Sequence, residues 1–255
     1  MSDSPKNILD SPAISGHYLF PQPRMVRDVF SVEVSGATLS CYRQGAATDR
    51  PTLVHFHGNG EAVADYVPDI ADHFSAVGVN CLFVEYREYG GSTGSARLVE
   101  MLPDGEAVVR AAGLAFDKVI AFGRSIGSLY AIELAHRHDN IAGLIIESGI
   151  ADPSERFLTY ADLQSAGFQP QDVELEVKKH FDHQAKLANY RNPVLLMHTE
   201  NDGLVDISHA ERLLDWAGSE DKQLVRFPNG DHNSIMGWNL DEYLGHMEVF
   251  VRQVS

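Results

Sequence analysis

Residues 118–130 of the sequence read KVIAFGRSIGSLY and contain the motif Gly123-Arg124-Ser125-Ile126-Gly127. An apolar run, Lys118–Phe122, precedes this motif, and an amphipathic segment, Ile126–His138, follows it. A serine in a G-x-S-x-G pattern between a strand and a helix is typical of a nucleophile elbow, a sharp turn that exposes the serine above a sheet. Such a turn packs too closely against its neighbours to admit Cβ atoms, which accounts for both glycines. We therefore predict that Ser125 is a nucleophile.

Short apolar runs alternate with helix-length segments along most of the chain. The other runs that predict strands are Leu53–Phe56, Val79–Val84, Gly143–Ile146, Val194–Met197 and Gln223–Phe227. The other segments that predict helices are Asp65–Ala76, Gly105–Leu114, Ile207–Trp216 and Leu240–Gln253. This alternation predicts an α/β fold with a mostly parallel, doubly wound sheet. Ahead of it, Val29–Val34 and Thr38–Arg43 flank Ser35-Gly36-Ala37, which predicts an N-terminal antiparallel hairpin.

The same pattern predicts a single α/β domain over residues 13–255. Residues 1–12 are rich in serine, proline and charged side chains, and we expect a flexible tail there. Residues 149–192 interrupt the alternation, because this interval is longer than one crossover helix with its loops requires. Its helical stretches, Ser154–Leu163 and Val173–Ala188, predict a small helical cap over the site. The alternative is an ordinary crossover with one extra surface helix.

Charge and composition exclude several classes of protein. The chain carries 36 acidic and 20 basic residues, a formal net charge of −16, which argues against binding to nucleic acid or to anionic lipid. Cys41 and Cys81 fall in predicted strands and are expected to be buried thiols rather than a disulfide frame. No secretory signal is recognisable in residues 1–15, and no apolar run reaches the roughly 18 residues of a membrane helix. We expect a cytoplasmic enzyme without a transmembrane segment.

A serine nucleophile needs a base and an acid, which follow it in the order serine, acid, histidine in this kind of fold. Asp202 follows the predicted strand Val194–Met197, and His232 follows the predicted strand Gln223–Phe227. Because both lie on loops at the carboxyl edge of the sheet, where open α/β sheets bind ligands, we predict a triad of Ser125, His232 and Asp202. Glu200 is the alternative acid.

Two backbone N–H groups are predicted to bind the oxyanion of the reaction. The first belongs to Ile126, the residue after the nucleophile. The second comes from the loop after Leu53–Phe56, within His57-Gly58-Asn59-Gly60, where we favour the N–H of Asn59 over that of Gly60. His55 and His57 share one face of a strand end, but no third metal ligand is evident from spacing. We therefore predict no metal and no organic cofactor.

Taken together, these motifs resemble the α/β-hydrolases of the Bem46 and ABHD13/ABHD17-like group. The resemblance runs from about His17 to the C-terminus and rests on these motifs together with the run Tyr86-Arg87-Glu88-Tyr89-Gly90-Gly91-Ser92-Thr93-Gly94. Members of the group are similar to esterases and acyl-protein thioesterases, which implies hydrolytic activity without naming a substrate. The chain departs from the group at Glu88, where glycine is usual, and at His198-Thr199, where His-Gly is usual.

The sequence thus predicts a serine hydrolase that cleaves small-molecule carboxylic esters or thioesters through an acyl-enzyme. The alternatives are a peptidase of the same fold and a non-catalytic binding protein that retains the fold. Glu88 carries a further expectation: with Glu61, Glu200 and Asp231, it would place negative charge at the mouth of the site and repel anionic substrates. The alternative is that Glu88 points into water or pairs with Arg87 or Arg124.

Overall fold

A computed structural model describes residues 7–155, 163–164 and 166–255 of the chain. Its central element is an eight-stranded sheet with the strand order β1-β2-β4-β3-β5-β6-β7-β8. In chain order the strands are β1 (Val29–Val34), β2 (Ala37–Gln44), β3 (Thr52–Phe56), β4 (Asn80–Val84), β5 (Val119–Arg124), β6 (Gly143–Glu147), β7 (Val194–Thr199) and β8 (Lys222–Phe227).

The topology of this sheet confirms the predicted fold class. β1 and β2 form the antiparallel hairpin, and β2 also pairs antiparallel with β4. All pairs from β4 through β3 to β8 are parallel. The chain moves outward from β3 in one direction to β4 and in the other to β5, so the strand order reverses there. Ligands of open α/β sheets bind in the crevice beyond the carboxyl ends of the strands at such a reversal.

Helices cover both faces of the sheet. The described α-helices are α1 (Ser15–Tyr18), α2 (Asp69–Ala76), α3 (Asp104–Ala111), α4 (Gly127–Arg137), α5 (Pro170–Phe181), α6 (His183–Leu187), α7 (Ser208–Trp216), α8 (Ile235–Trp238) and α9 (Leu240–Val254). Side chains of α2 and α9 join one apolar cluster with alternate strand residues such as Phe122, and those of α3, α4 and α7 join the other, with residues such as Ala121. The period of two along β5 therefore divides its side chains between two cores.

Burial follows the position of each strand in the sheet. Every residue of β3, β4, β5, β6 and β7 is buried, as expected for strands covered by helices on both faces. β8 forms the edge of the sheet, and only Val225 and Phe227 of its residues are buried. The five inner strands provide a rigid platform for the loops at their carboxyl ends.

The N-terminal segment differs from the expected flexible tail. Residues 1–6 lie outside the described part of the chain, but residues 7–12 pack against the domain. Leu9 is fully buried, and the Asp10 carboxylate accepts a hydrogen bond of 2.7 Å from the Val99 N–H. Burying the Leu9 side chain contributes about 1.5–3 kcal/mol, which adds to the hydrogen bond of Asp10 in holding this segment against the domain.

The interval that predicted a cap is described in part. The predicted helix Ser154–Leu163 lies mostly outside the described residues, which here include a short 3-10 turn, Pro153–Glu155. The second predicted helix forms as α5 and α6, divided at Asp182, whose carboxylate caps α6 by accepting from the Ala185 N–H at 2.9 Å. That this interval covers the site remains a prediction.

The two thiols agree with the prediction made from the sequence. Both cysteines are free and buried, and burial raises the pKa of Cys41 to about 12 and that of Cys81 to about 11. Both thiols therefore remain protonated at neutral pH and act as small apolar side chains. None of the helices in the described part of the chain is long and apolar enough to cross a membrane.

Candidate active site

Ser125 lies at the sharp turn between β5 and α4, as the motif predicts. Its backbone φ is +52°, a left-handed conformation that non-glycine residues rarely adopt. The flanking glycines are sterically required. A Cβ on Gly123 would lie 2.6 Å from the Gly127 carbonyl oxygen, and a Cβ on Gly127 would lie 2.1 Å from the carbonyl oxygen of Phe56. The strained turn therefore exists because two glycines let α4 pack directly against β3 and β5.

The structure brings the three predicted triad residues into one hydrogen-bonded chain. The Ser125 Oγ lies 2.9 Å from the Nε2 of His232. The Nδ1 of the same imidazole lies 2.7 Å from the Oδ2 of Asp202. Ser125, His232 and Asp202 come from the loops after β5, β8 and β7, and all three residues are buried. In this arrangement a neutral imidazole can take the serine proton while the carboxylate stabilises the resulting positive charge.

Asp202 is held as a carboxylate by several donors. Its Oδ1 accepts from the backbone N–H groups of Leu204 and Val205, at 2.9 and 2.8 Å. Its Oδ2 lies 3.3 Å from the Nε2 of His198, a buried histidine that the sequence analysis assigned no role. Burial alone would raise the pKa of Asp202, but the hydrogen bonds from His198, His232 and Val205 outweigh burial and hold the pKa well below its usual range.

Glu200, the alternative acid, has an exposed side chain. The His232 Nδ1 faces Asp202 instead. The reason lies in the turn after β7: the Asp202 carboxylate is fixed by hydrogen bonds from the backbone N–H groups of residues 204 and 205, whereas the Glu200 side chain is exposed. Of the two candidate acids, only Asp202 has the geometry of a histidine partner.

The two predicted oxyanion donors lie beside the nucleophile. Asn59 and Ile126 line the same cavity as Ser125. In the described part of the chain, neither backbone N–H has a hydrogen-bond acceptor. Gly60, the alternative to Asn59, directs its N–H toward the Tyr89 hydroxyl. The geometry therefore favours the N–H groups of Asn59 and Ile126, both of which are free to receive a developing negative charge.

A cavity of about 400 Å³ opens above Ser125. Its described lining consists of His17, Tyr18, Phe20, Asn59, Arg124, Ser125, Ile126, Ile150, Leu204, Val205, His232 and Asn233. The described lining includes no aspartate or glutamate, in a chain whose formal net charge is −16. Of the interval expected to form a cap, Ile150 contributes to the described lining. One wall of the cavity comes from the N-terminal residues His17, Tyr18 and Phe20. This wall was not predicted from the sequence.

Glu88 does not take part in this lining. Its φ is +69°, which explains why glycine is usual at this position. Its carboxylate accepts a hydrogen bond of 3.0 Å from the Ala96 N–H, so the negative charge is bound within the loop that follows β4. Glu61 pairs with Arg124, and the expected ring of negative charge at the mouth is therefore absent from the described lining.

Arg124 is a further residue of the site that was not predicted from the sequence. Its side chain is almost fully buried under the site. One terminal nitrogen donates to the backbone carbonyl of His232 at 2.8 Å and to the Oδ1 of Asn233 at 3.1 Å. The rest of the guanidinium pairs with Glu61 and, at 2.9 Å, with Glu147. These two carboxylates, with nearby tyrosines, outweigh burial and raise the Arg124 pKa. An arginine at the end of a buried strand was the only signal in the sequence.

His55 and His57 have separate structural surroundings. The His57 imidazole donates to the Gly58 carbonyl and contacts Glu85, each at 2.8 Å. Burial opposes protonation, but the Glu85 carboxylate raises the pKa of His57. His55 is packed among aromatic rings, and burial lowers its pKa well below the usual range. In the described part of the chain, these histidines do not join a cluster of three or more possible metal ligands.

Residues 105–255 match the model of the prolyl oligopeptidase family. The chain is 29% identical over 197 residues to the protein Bem46 of Schizosaccharomyces pombe, covering 72% of this chain and 62% of the relative. It is 24% identical over 211 residues to the α/β-hydrolase domain-containing protein 17B of Homo sapiens, covering 79% of this chain and 66% of the relative. The chain thus spans about two thirds of the length of these curated relatives.

Solved structures show the same fold at low sequence identity. An esterase of Pyrococcus furiosus superposes with a TM-score of 0.71 at 16% identity, covering 92% of this chain and 99% of the esterase. The α/β-hydrolase domain-containing protein 10 from mouse superposes with a TM-score of 0.70 at 15% identity, covering 90% of this chain and 100% of the mouse chain. These two likenesses support the fold.

Proposed function

Because the chain belongs to the prolyl oligopeptidase family, and to the Bem46/ABHD group of α/β-hydrolases, we propose that it is a serine hydrolase of carboxylic esters or thioesters. The single observation that carries the proposal is the hydrogen-bonded chain Ser125–His232–Asp202 at the carboxyl edge of the sheet. A binding protein has no physical need for a serine in a strained turn with a base and an acid in line behind it. The esterase with a similar fold adds support for an ester as substrate.

The proposed reaction has two stages, acylation of Ser125 and hydrolysis of the acyl-enzyme. The Ser125 Oγ forms a bond to the carbonyl carbon while its proton moves to the Nε2 of His232. The N–H groups of Asn59 and Ile126 bind the oxyanion, each contributing about 3 kcal/mol. The C–O or C–S bond then breaks as the imidazolium gives its proton to the leaving group. Water repeats the sequence on the acyl-enzyme and releases the acid.

The test is labelling with a fluorophosphonate probe together with turnover of p-nitrophenyl butyrate. We expect the wild type to be labelled and active, and Ser125→Ala to lose both while its melting temperature stays close to that of the wild type. The Ala substitution removes only one hydroxyl and leaves the fold unchanged. Ser128→Ala serves as the matched control, because Ser128 lies in the same turn and bonds to backbone groups of residues 125 and 150. Equal labelling of wild type and Ser125→Ala would refute the mechanism.

A peptidase is the second candidate, since the matched family model carries that name. A peptidase that trims chain ends needs a charged group to hold the peptide terminus. The described cavity lining contains no aspartate or glutamate for an N-terminal amine. Peptidyl p-nitroanilides measured beside the esters separate the two activities, and we expect kcat/KM for the esters to be the higher.

A further inference from the structure

Residues 14–22, here called the N-terminal strap, cross the carboxyl edge of the sheet beside Ser125. The strap is anchored at both ends. Ile14 and Leu19 are buried in the apolar core, and the Ser15 Oγ accepts from the Leu98 N–H at 3.0 Å. Farther along, the carbonyl of Gln22 accepts from the Gly90 N–H at 2.7 Å. The strap is therefore a fixed part of the domain rather than a loose end.

Asn59 fastens the middle of the strap to the active site. Its Nδ2 donates to the carbonyl of Tyr18 at 2.6 Å, and its Oδ1 accepts from the Phe20 N–H at 2.9 Å. The Tyr89 hydroxyl completes the link, 2.9 Å from the same N–H and 3.1 Å from the same oxygen. The residue whose backbone N–H is the proposed oxyanion donor thus holds the strap through its side chain.

This link places Phe20 at the mouth of the cavity. The Phe20 side chain is 55% exposed and lines the cavity together with Tyr18 and with Leu204, which is 48% exposed. Exposed apolar side chains that group at one place on a surface often mark a binding site. The cavity of about 400 Å³ lies near the small end of the range of roughly 300–1,000 Å³ for small-molecule sites. An apolar group of limited size fits this space.

The position of the strap relative to His232 shows which part of a substrate it meets. His232 gives its proton to the leaving group, so the leaving group lies on the His232 side of Ser125. The strap approaches from the Asn59 side, where a Cβ on Gly60 would lie 4.0 Å from the Cβ of Phe20. The carbonyl oxygen faces the N–H groups of Asn59 and Ile126 and the leaving group faces His232, so the acyl group is the part of the substrate that remains to contact the strap.

From this arrangement we propose that the N-terminal strap, chiefly Phe20, forms the acyl-binding wall and restricts the enzyme to esters or thioesters of short, apolar acyl groups. The inference rests on the proposed hydrolase function. Asn59 is a positioning residue here, since its side chain fixes the position of the strap by hydrogen bonds while its backbone N–H faces the oxyanion. The strap thereby connects Phe20, which limits the acyl group, to Asn59, whose backbone N–H binds the oxyanion.

The experiment measures kcat/KM for p-nitrophenyl acetate, butyrate, octanoate and palmitate in wild type, Phe20→Ala and Phe20→Trp. We expect the wild type to favour acetate and butyrate. Phe20→Ala should raise the octanoate-to-acetate ratio about tenfold, because removing part of an apolar wall changes discrimination by about that factor. Phe20→Trp should lower the butyrate-to-acetate ratio. Met25→Ala, an exposed apolar residue of the same segment outside the described lining, should match the wild type.

A second series distinguishes the acyl side from the leaving-group side. Acetate esters of alcohols of increasing length should keep the same ranking in wild type and Phe20→Ala. An unchanged acyl preference in both Phe20 variants, or a shift confined to the alcohol series, would overturn the assignment of the wall while leaving the hydrolase intact. Failure of the proposed function is distinct: the wild type would then show neither probe labelling nor turnover of any ester.

Discussion

Arg124 ties the nucleophile turn to the loop that carries the histidine. One nitrogen of its guanidinium reaches the His232 carbonyl while the other two pair with Glu61 and Glu147, a combination that the single ammonium of lysine does not reproduce. We predict that Arg124→Lys lowers kcat/KM for p-nitrophenyl butyrate about tenfold, since losing a charged hydrogen bond costs about 1.5–3 kcal/mol. The rate of fluorophosphonate labelling should fall in parallel, because it reports the alignment of serine and histidine without a product-release step.

The matched control is Arg87→Lys. Arg87 is equally buried and pairs with Asp104 at 2.8 Å, but it lies outside the described cavity lining. Both substitutions are expected to lower the melting temperature, and Arg87→Lys should leave the labelling rate within about twofold of the wild type when both variants are folded. Equal loss of labelling in the two variants would show that Arg124 supports the fold only.

At the scale of the element, the turn between β5 and α4 depends on close backbone contact. A Cβ on Gly127 would meet the Phe56 carbonyl oxygen at 2.1 Å, and this oxygen belongs to a buried strand that cannot move aside. We predict that Gly127→Ala lowers the free energy of unfolding by about 3 kcal/mol or more, the upper part of the range for overpacking. Urea unfolding monitored by circular dichroism measures this change.

Gly245 in α9 provides the opposite case. A Cβ there would meet nothing within 4 Å, and the residue lies on the exposed side of a 15-residue helix. Gly245→Ala should raise the free energy of unfolding by about 0.5–1 kcal/mol, since alanine favours the helix interior over glycine. If Gly127→Ala and Gly245→Ala were both as stable as the wild type, the result would contradict the close packing of α4 against β3.

For the whole molecule, buried neutral histidines link stability to pH. Burial lowers the pKa of His55, and burial together with Lys186 lowers the pKa of His183 to about 3. The unfolded chain takes up a proton at each of these positions below about pH 6.5, while the folded chain does not. Stability is therefore fully present above about pH 6.5 and is lost as the pH falls toward the folded-state pKa, by about 1.4 kcal/mol per pH unit for each histidine.

His55→Phe tests this linkage. The imidazole is surrounded by Tyr66, Phe74, Phe83 and Phe122, and its Nε2 has no partner in the described part of the chain. A phenyl ring suits this environment and takes up no proton. The advantage of the variant over the wild type in unfolding free energy should grow by about 1.4 kcal/mol for each pH unit below about 6.5. A constant difference between about pH 7.5 and pH 5 would contradict it.

The sequence by itself determined the fold class and the three residues of the candidate triad. These features have local signatures: Gly123 to Gly127 follow a strand and open a helix, and Asp202 and His232 each follow an apolar run. Parallel strands bring their carboxyl ends to one edge, so chain order was enough to predict that Ser125, Asp202 and His232 meet there. The position within the turn favoured Asp202 over Glu200, and the structure places the Asp202 carboxylate against His232.

The tertiary structure alone decided what surrounds those residues. Arg124 donates a hydrogen bond to the His232 carbonyl, 108 positions later in the chain. The Phe20 N–H donates to Asn59, 39 positions away, and to Tyr89, 69 positions away. No periodicity or spacing connects residues so far apart, because hydrogen-bonding groups carry no sequence signal about which distant partner they will meet. For the same reason the sequence left open whether Glu88 makes the mouth acidic: the donor to its carboxylate, the Ala96 N–H, is set by the path of the folded loop. The walls of the cavity, and with them substrate selection, follow from packing.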